Sequence, residues 1–513
     1  MALFETSLLL MLAAILLLQI SRRWPVPYPT MLAMAGVAVA AMPWVPPFEI
    51  EPRLALALFI APALFDAAYD FPPRALLRYW LPLLALAAIA VLLTTGAVAT
   101  AAVWFGGLPV AAAIALGAIV APPDAAAASA VLGRFTLPRS TLTVLEGESL
   151  FNDAVALLIF TWAVTTASSP GLLNDIAPLL VLEAPAGIVL GIVFAKLYVY
   201  CAPRLAGTLG GTLFEFVMTF GVWVVADRLH LSAILAVVTF AMMVARDAPD
   251  RQAARDRLHS YSVWGATVFM LNVLAFLLMG MQARTIVGRL APGELGHAML
   301  FAGGVLVIVI VVRIVWVMLY NRGMAAWARA HQWPDVPSTG QGLLVSWSGM
   351  RGLVTLATAL ALPGDFPARD LIVLSALTVV LGTLVLQGLT LGPLIRRLNF
   401  PKDDGYDTEL VTARRALLDA ALATLGDRQD IAAKHLRKAY QAEHAVEEGG
   451  HQPGDMEEID ALRHKGIEAR RNTLSRLRRS GRIDESVFHA LELELDWAEV
   501  AAMRSEETEI VQG

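Results

Sequence analysis

Glu146-Gly147-Glu148-Ser149-Leu150-Phe151-Asn152-Asp153 sets three carboxylates, a hydroxyl and an amide within eight residues of an otherwise apolar stretch. On a helix Ser149, Asn152 and Asp153 stand at i, i+3 and i+4 and share one face, with Glu148 one turn from Asn152. A carboxylate, an amide carbonyl and a hydroxyl are the oxygen ligands a hard cation such as Na⁺ takes. Asp124, following Ala121-Pro122-Pro123, adds a second carboxylate. A helix broken there frees backbone carbonyls, that of Pro123 among them. Asp153, Asp124 and Ser149 are thus the candidate Na⁺ ligands, with Asn152 beside them. Two cations, Arg313 and Arg351, oppose these acids from equally apolar surroundings. If Glu148 pairs with Arg313, and Arg351 offsets Asp124 and the broken backbone, Asp153 is left without a permanent counter-ion. A desolvated carboxylate of that kind can hold a proton or a cation in turn and is poorly stable empty. The competing reading makes all five charges structural ion pairs.

The surroundings decide how costly these charges are. The chain has 513 residues, 57% of them hydrophobic and 16% charged, with a mean hydropathy of +0.63. That composition belongs in a bilayer. An ionisable group at mid-membrane depth costs about 3 kcal/mol by insertion scales and usually marks an ion path. Apolar runs able to cross the hydrocarbon lie near 4 to 20, 26 to 44, 53 to 69, 75 to 104, 110 to 133, 141 to 168 and 176 to 202. Six more lie near 210 to 227, 231 to 245, 259 to 282, 299 to 320, 340 to 362 and 370 to 396. About thirteen transmembrane helices are expected. The first run is preceded by Glu5 and followed by Arg22 and Arg23, which suits a spanning helix and not a secretory signal. Arg22/Arg23, Arg74/Arg78, Arg134/Arg139, Lys196/Arg204, the Arg246 to Arg257 stretch, Arg322/Arg329 and Arg396/Arg397 all fall on one side. This puts the amino terminus outside and the carboxy-terminal tail in the cytoplasm.

An odd number with this alternation permits six helices, a linker helix and six more of opposite orientation, an inverted repeat of the secondary-transporter kind. In such folds the substrate site lies where corresponding helices are interrupted. Here the fifth and twelfth helices carry Pro122-Pro123-Asp124 and Ser348-Gly349-Met350-Arg351-Gly352 at matched positions. The simpler account of Pro and Gly in a spanning helix is a kink or a packing notch.

Other polar residues have cheaper explanations. Glu183, Glu215 and Lys196 lie near expected helix ends, where snorkelling to the interface accounts for them. Asp66 follows Pro62 in a short helix and could line an access funnel or mark a helix end, and Asn272 could be a site ligand or an interhelical hydrogen bond. Both are accessory candidates. Cys201, the single cysteine, forms no internal disulfide and is given no role. The chain divides into a transmembrane domain, 1 to 398, and a soluble helical tail, 399 to 513. In the tail Leu410, Ala413, Leu417, Ala421 and Leu425 recur at helical spacing, with a break at Glu448-Gly449-Gly450-His451-Gln452-Pro453-Gly454. His435, His444, His451, His464 and His489 invite a pH-sensor reading, for which solvated surface histidines are the plainer alternative.

Gly147-Glu148-Ser149-Leu150-Phe151-Asn152-Asp153 resembles the signature of the monovalent cation:proton antiporter family, which contains the electroneutral sodium/proton exchangers. Gly349-Met350-Arg351-Gly352, the stretch from Phe269 through Leu271-Asn272 to Gly280, and Leu384-Val385-Leu386-Gln387-Gly388-Leu389-Thr390-Leu391 are similar to further motifs of it. The resemblance covers the membrane domain in order. It implies a thirteen-helix inverted repeat with crossing broken helices, a homodimer in the bacterial inner membrane, and Asp153 as the carrier carboxylate beside Asn152. It also implies that Glu148 and Arg313 form a structural pair, and that one H⁺ exchanges for one Na⁺ or Li⁺. Where many members have Thr-Asp-Pro, this chain has Pro123-Asp124-Ala125, which keeps the carboxylate but not the threonine hydroxyl and leaves the ligand set and the Na⁺ against K⁺ preference open. No cofactor is expected beyond the transported ions, and no nucleotide loop or nucleic-acid patch is present. The tail is expected to bind a regulator of unspecified kind or to stabilise the dimer.

Three alternatives stand beside this reading. A K⁺/H⁺ exchanger would use the same architecture. A channel would also use broken helices, but a protonatable acid that must be neutralised at every passage does not suit one. An intramembrane aspartyl protease needs two neighbouring acids, and Tyr69-Asp70 and Pro363-Gly364-Asp365 faintly match its motifs. The expected topology puts these acids on opposite faces of the membrane, where they cannot share a proton.

Overall fold

The computed structural model describes residues 27–42, 51–168, 173–205, 208–251, 254–288, 295–331, 337–400 and 405–447, with scattered positions from 12 to 20, at 293 and from 465 to 497. Among the described residues the regular structure is helical throughout, with no strand. The chain divides into two units, Met1–Lys402 and Asp403–Gln512.

In the first unit the helices are α1 (Tyr28–Ala40), α2 (Ala61–Asp70), α3 (Ala90–Gly106), α4 (Val110–Val120), α5 (Ala125–Leu132), α6 (Arg139–Ser168) and α7 (Leu173–Cys201). They continue as α8 (Leu209–Arg228), α9 (Ala233–Arg251), α10 (Ala254–Gly288), α11 (Leu295–Ala330), α12 (Thr339–Trp347), α13 (Leu353–Leu360) and α14 (Arg369–Leu398). Among the described residues seven stretches are long and apolar enough to cross a bilayer: Trp80–Gly106, Arg139–Ala167, Leu182–Arg204, Gly210–Arg228, Asp256–Gly288, Leu295–Ala330 and Arg369–Leu398. The expected first run, 4 to 20, lies largely outside the described residues.

Two expected runs differ in their interior. That near 75 to 104 is not one helix: Pro73–Arg78 ends at Tyr79 (φ −109°, ψ 22°), and a new start at Trp80–Leu83 passes through a wide π turn, Leu84–Ile89, into α3. A π turn leaves carbonyls poorly placed for the α-helical bond. Ala85 O accepts the N–H of Ala90, five residues on, and in addition the indole N–H of Trp316 on α11, at 2.9 Å. The run near 53 to 69 is widened in the same way at Leu56–Ile60 before it enters α2.

Glycine sets the closest helix pair. α1 and α10 cross so tightly that a Cβ on Gly36 would lie 2.1 Å from Leu277 O, and one on Gly280 would lie 2.1 Å from Ala33 O. Only small residues permit backbone contact of this kind in a bundle. Apolar side chains gather into two main cores. One, around Leu116, Ile119, Val309, Leu356 and Val380, joins α4, α11, α13 and α14; the other, around Phe65, Trp223, Val237 and Phe240, joins α2, α8 and α9. α6 contributes Leu145 to the first and Leu150 and Ala154 to the second, so the helix bearing Glu148 to Asp153 runs between them. Outward faces keep large apolar side chains exposed, as at Val189 and Val193 on α7 or Leu300 and Val307 on α11. Lipid covers such a surface without penalty.

The second unit holds α15 (Gly405–Leu425) and α16 (Ile431–Glu447), two packed helices joined by a tight turn. Gly426 takes the left-handed conformation (φ 45°), and its carbonyl accepts Arg437 Nη2 at 2.7 Å. Asp430 Oδ1 accepts the N–H of Ala433 at 2.7 Å. Leu417 of the expected apolar stripe is exposed, as is His435. The expected break from 448 to 454 lies outside the described residues.

A charge-capped crossing of two broken helices

Each interruption has a local cause. α4 stops at Ala121 because Pro122 and Pro123 carry no N–H to continue the ladder. Asp124 is extended (φ −104°, ψ 118°) and caps α5, its Oδ1 accepting the N–H of Ala126 at 2.9 Å. α12 opens with a reciprocal capping box between Ser338 and Gln341, and it ends where Ser348 Oγ turns back to Leu344 O at 2.8 Å. The backbone is then non-helical until α13 begins after Gly352.

The two interruptions meet. Asp124 N–H donates to Met350 O at 2.7 Å, a backbone bond from one broken helix to the other. Arg351, wholly buried, donates from Nε to Val120 O at 3.1 Å and from Nη2 to Ala121 O at 3.2 Å. Its Nη1 donates to Gly349 O, and its backbone N–H to Thr383 Oγ1 at 3.0 Å. The guanidinium therefore serves carbonyls at the C-terminal ends of α4 and α12. The Asp124 carboxylate does the converse, receiving the N–H groups of Ala126 and Ala127 from α5 and of Leu353 from α13. A cation on two helix C-termini and an anion on two N-termini both oppose the local dipoles. The carbonyls freed at Val120, Ala121 and Met350 are thus engaged by the chain itself, which narrows the set expected to face an ion.

Close approach leaves no room for side chains here. A Cβ on Gly352 would fall 1.6 Å from Asp124 Oδ2, and one on Gly349 would fall 2.1 Å from Arg313 Nε. Arg313 reaches in from α11 and grips Glu148 with two bonds, Nη1 to Oε1 at 2.5 Å and Nη2 to Oε2 at 3.0 Å. Nη2 also donates to Val345 O at 3.0 Å, fastening α6, α11 and α12 to one another. Both partners are buried, and such bidentate geometry is what makes a buried pair tolerable.

α6 presents the remaining groups. Asn152, fully buried, donates from Nδ2 to Pro123 O at 2.9 Å, and its Oδ1 has no partner among the described residues. Asp153 is 6% exposed and makes no hydrogen bond or ion pair among the described residues, with Asp124 near enough for its charge to be felt. Ser149 is half-buried on the same face. The arrangement thus brings Asp124, Pro123, Asn152, Arg351, Gly349 and Gly352 into one crossing, with Glu148 and Arg313 bracing it and Asp153 alongside.

Two expected accessory residues lie elsewhere. Asp66 lines a shallow, open recess with Asp70, Glu215, Arg257, Ser260 and Trp264. Asn272 is half-buried on α10 without a hydrogen bond to any described residue. Glu215 corrects the snorkelling expectation. It is 3% exposed, and its Oε2 accepts Ser260 Oγ at 2.5 Å and Trp264 Nε1 at 3.1 Å. Its position in the sequence gives no hint of these partners, which lie 45 and 49 residues away on another helix. Trp264 in turn stacks on Phe65 and Phe216, so the acid is walled by aromatics. Lys196 is exposed and Glu183 half-buried.

Comparison with known proteins agrees with this architecture. The family model described as sodium/hydrogen exchanger, transmembrane, matches residues 8–397. A relative from Mycobacterium tuberculosis, named an uncharacterized Na⁺/H⁺ exchanger, is 29% identical over 94% of this chain and 93% of its own length. A sodium, potassium, lithium and rubidium/H⁺ antiporter of Bacillus subtilis is 30% identical over 78% of this chain and 62% of its own length. The solved sodium proton antiporter MjNhaP1 from Methanocaldococcus jannaschii superposes with a TM-score of 0.58 at 20% identity, covering 78% of this chain and 99% of that one. Matched along the whole membrane unit and folded like a solved antiporter, the chain belongs to the sodium/hydrogen exchanger family of transmembrane cation/proton antiporters.

Proposed function

We propose that this antiporter exchanges Na⁺ for H⁺ at Asp153, the two ions occupying its carboxylate in turn. The observation that carries the reading is the contrast among the buried charges. Glu148 is paired, Arg351 and Asp124 are saturated by backbone groups, and Asp153 alone of the crossing's carboxylates has neither hydrogen bond nor counter-ion among the described residues. Ser149 Oγ and the unpartnered Oδ1 of Asn152 lie on the same helix as further oxygen ligands. Asp124 contributes its charge to the site, and through its cap it holds Pro123 O against Asn152. With one carboxylate as carrier, one H⁺ exchanges for one cation. Asp66 belongs to an accessory recess on the approach to the site.

We place the protein as a homodimer in the bacterial inner membrane, with the amino terminus outside and the tail as a cytoplasmic regulatory or dimer-stabilising unit. A K⁺/H⁺ reading is favoured by one observation: the Bacillus subtilis relative is named for sodium, potassium, lithium and rubidium alike. Pro123 here offers only a carbonyl where a threonine would add a hydroxyl. Everted vesicles carrying the full chain, with a pH-sensitive dye, test both. Dequenching on addition of Na⁺ and Li⁺ is expected, and a response to K⁺ at similar half-saturation would widen the substrate to monovalent cations in general. Dequenching that survives in Asp153→Asn would overturn the assignment of the carrier.

A further inference from the structure

Gln387 on α14 is fully buried, yet neither its amide nitrogen nor its amide oxygen has a partner among the described residues. Leaving both ends of a primary amide unpaired in an interior is costly, and native proteins meet such a need with ordered water. The place is specific. One turn before Gln387, Thr383 accepts the backbone N–H of Arg351, and three residues after it, Thr390 accepts the indole N–H of Trp347 at 2.9 Å. Gln387 is therefore bracketed by contacts to both ends of the unwound stretch between α12 and α13, and it faces that stretch. The sulfur of Met350, in the middle of the stretch, lies 3.6 Å from a Cβ position built on Gly388.

We propose that Gln387 holds bound water against the unwound Trp347-to-Arg351 backbone and is a positioning residue for the exchange, acting through that water on the crossing. Several peptide groups of the stretch already have partners in the chain, and a glutamine with a donor and an acceptor free can reach the remainder through one or two waters. The stretch it steadies carries Arg351 and the carbonyl that receives Asp124 N–H, so its register sets that of the Asp124 cap.

This inference rests on the proposed ion site, and the experiment separates the two. Met350 is fully buried and oxidisable, and Met279 on α10, 2% exposed, serves as a control. Brief X-ray radiolysis of the full chain in lipid nanodiscs generates hydroxyl radical from bound water in place. Met350 should be oxidised at least tenfold faster than Met279, and Gln387→Leu should bring the two rates together while Gln387→Asn keeps them apart. In proteoliposomes Gln387→Leu should lower the maximal exchange rate about tenfold, with the half-saturating Na⁺ concentration changed less than twofold, as expected for a positioning defect. Met350 as protected as Met279 in the native chain would refute bound water at Gln387, whatever becomes of Asp153. So would a Gln387→Leu variant that melts no lower than the native chain and exchanges at full rate. If Gln387→Leu fails to fold, the native-chain labelling still decides. A native chain with fast Met350 oxidation but with exchange surviving in Asp153→Asn would sink the ion-site reading and leave the water.

Discussion

Two aspartates near one crossing have different surroundings, and the difference predicts different mutants. Asp124 receives three backbone N–H groups, whereas Asp153 receives none from the described residues. Asp153→Asn removes a charge with which no described residue pairs, so the variant should insert and melt like the native chain while coupled exchange disappears; proteoliposome flux with a thermal melt checks both. Glu148 and Arg313 should behave in the opposite sense. Glu148→Gln strands a buried guanidinium, and loss of such a partner costs about 3 to 5 kcal/mol. Lower yield and a lower melting temperature are expected for either single variant, with partial recovery in the charge-swapped double, measured by fluorescence-detected gel filtration after heating. Glu148, Asn152 and Asp153 stand out in the sequence because helical spacing alone puts them within a turn and a half, inside an apolar run where charge needs a reason. Glu215 was not legible. Distance along the chain from a helix end says little about depth when the partners that bury an acid, Ser260 and Trp264, come from a different helix. The carbonyl acceptors of Arg351 were equally hidden, because a sequence lists side chains and the crossing is built largely from backbone.

At the scale of elements, the two interruptions could be read from Pro122-Pro123 and Gly349 to Gly352, since those residues cannot continue a helix or do so poorly. Their direct backbone bond could not, because residues 124 and 350 are related only by the fold. The glycines are where this geometry is least forgiving. Gly352→Ala would drive a methyl group into the Asp124 carboxylate, and relief requires opening the cap. Exchange should fall at least as far as in Asp124→Asn, while Gly364→Ala, in open space, should be silent; parallel vesicle assays of the three variants make the comparison. Hydropathy reads the run near 75 to 104 as one helix because it is blind to a break at Tyr79 and to a π turn, one of whose carbonyls also accepts a tryptophan more than two hundred residues away.

For the whole molecule, composition was enough to place the chain in a bilayer, and loop arginines were enough to propose its orientation. Competition for one carboxylate makes a prediction at this scale. Once Asp153 is mostly protonated, each unit fall in pH should raise the half-saturating Na⁺ concentration about tenfold, with maximal rate little changed at first. At high pH the site fills with Na⁺ and lacks protons, so turnover falls, and rate against pH should be bell-shaped with an acidic limb that added Na⁺ moves towards lower pH. Deleting residues 405–513 should leave that limb in place. A limb that ignores Na⁺ but moves on truncation would transfer the pH response to the tail. The tail was the least legible part, since an amphipathic stripe such as that through Leu417 fixes a helix without naming what covers it.

The pairing of Arg351 with helix C-termini and Asp124 with helix N-termini has an electrical consequence. Formal charges of +1 and −1 cancel, the Glu148–Arg313 pair cancels, and the half-charges of four helix ends, each about 0.5 of an elementary charge, cancel as well. On the proposed mechanism Asp153 then carries the crossing's net charge, and either bound ion neutralises it. A protein moving a neutral load does no work against the membrane field, whereas one uncompensated charge would cost or gain about 2.3 kcal/mol for each 100 mV. A potassium diffusion potential imposed with valinomycin on Na⁺-loaded proteoliposomes should therefore leave the exchange rate unchanged in either polarity.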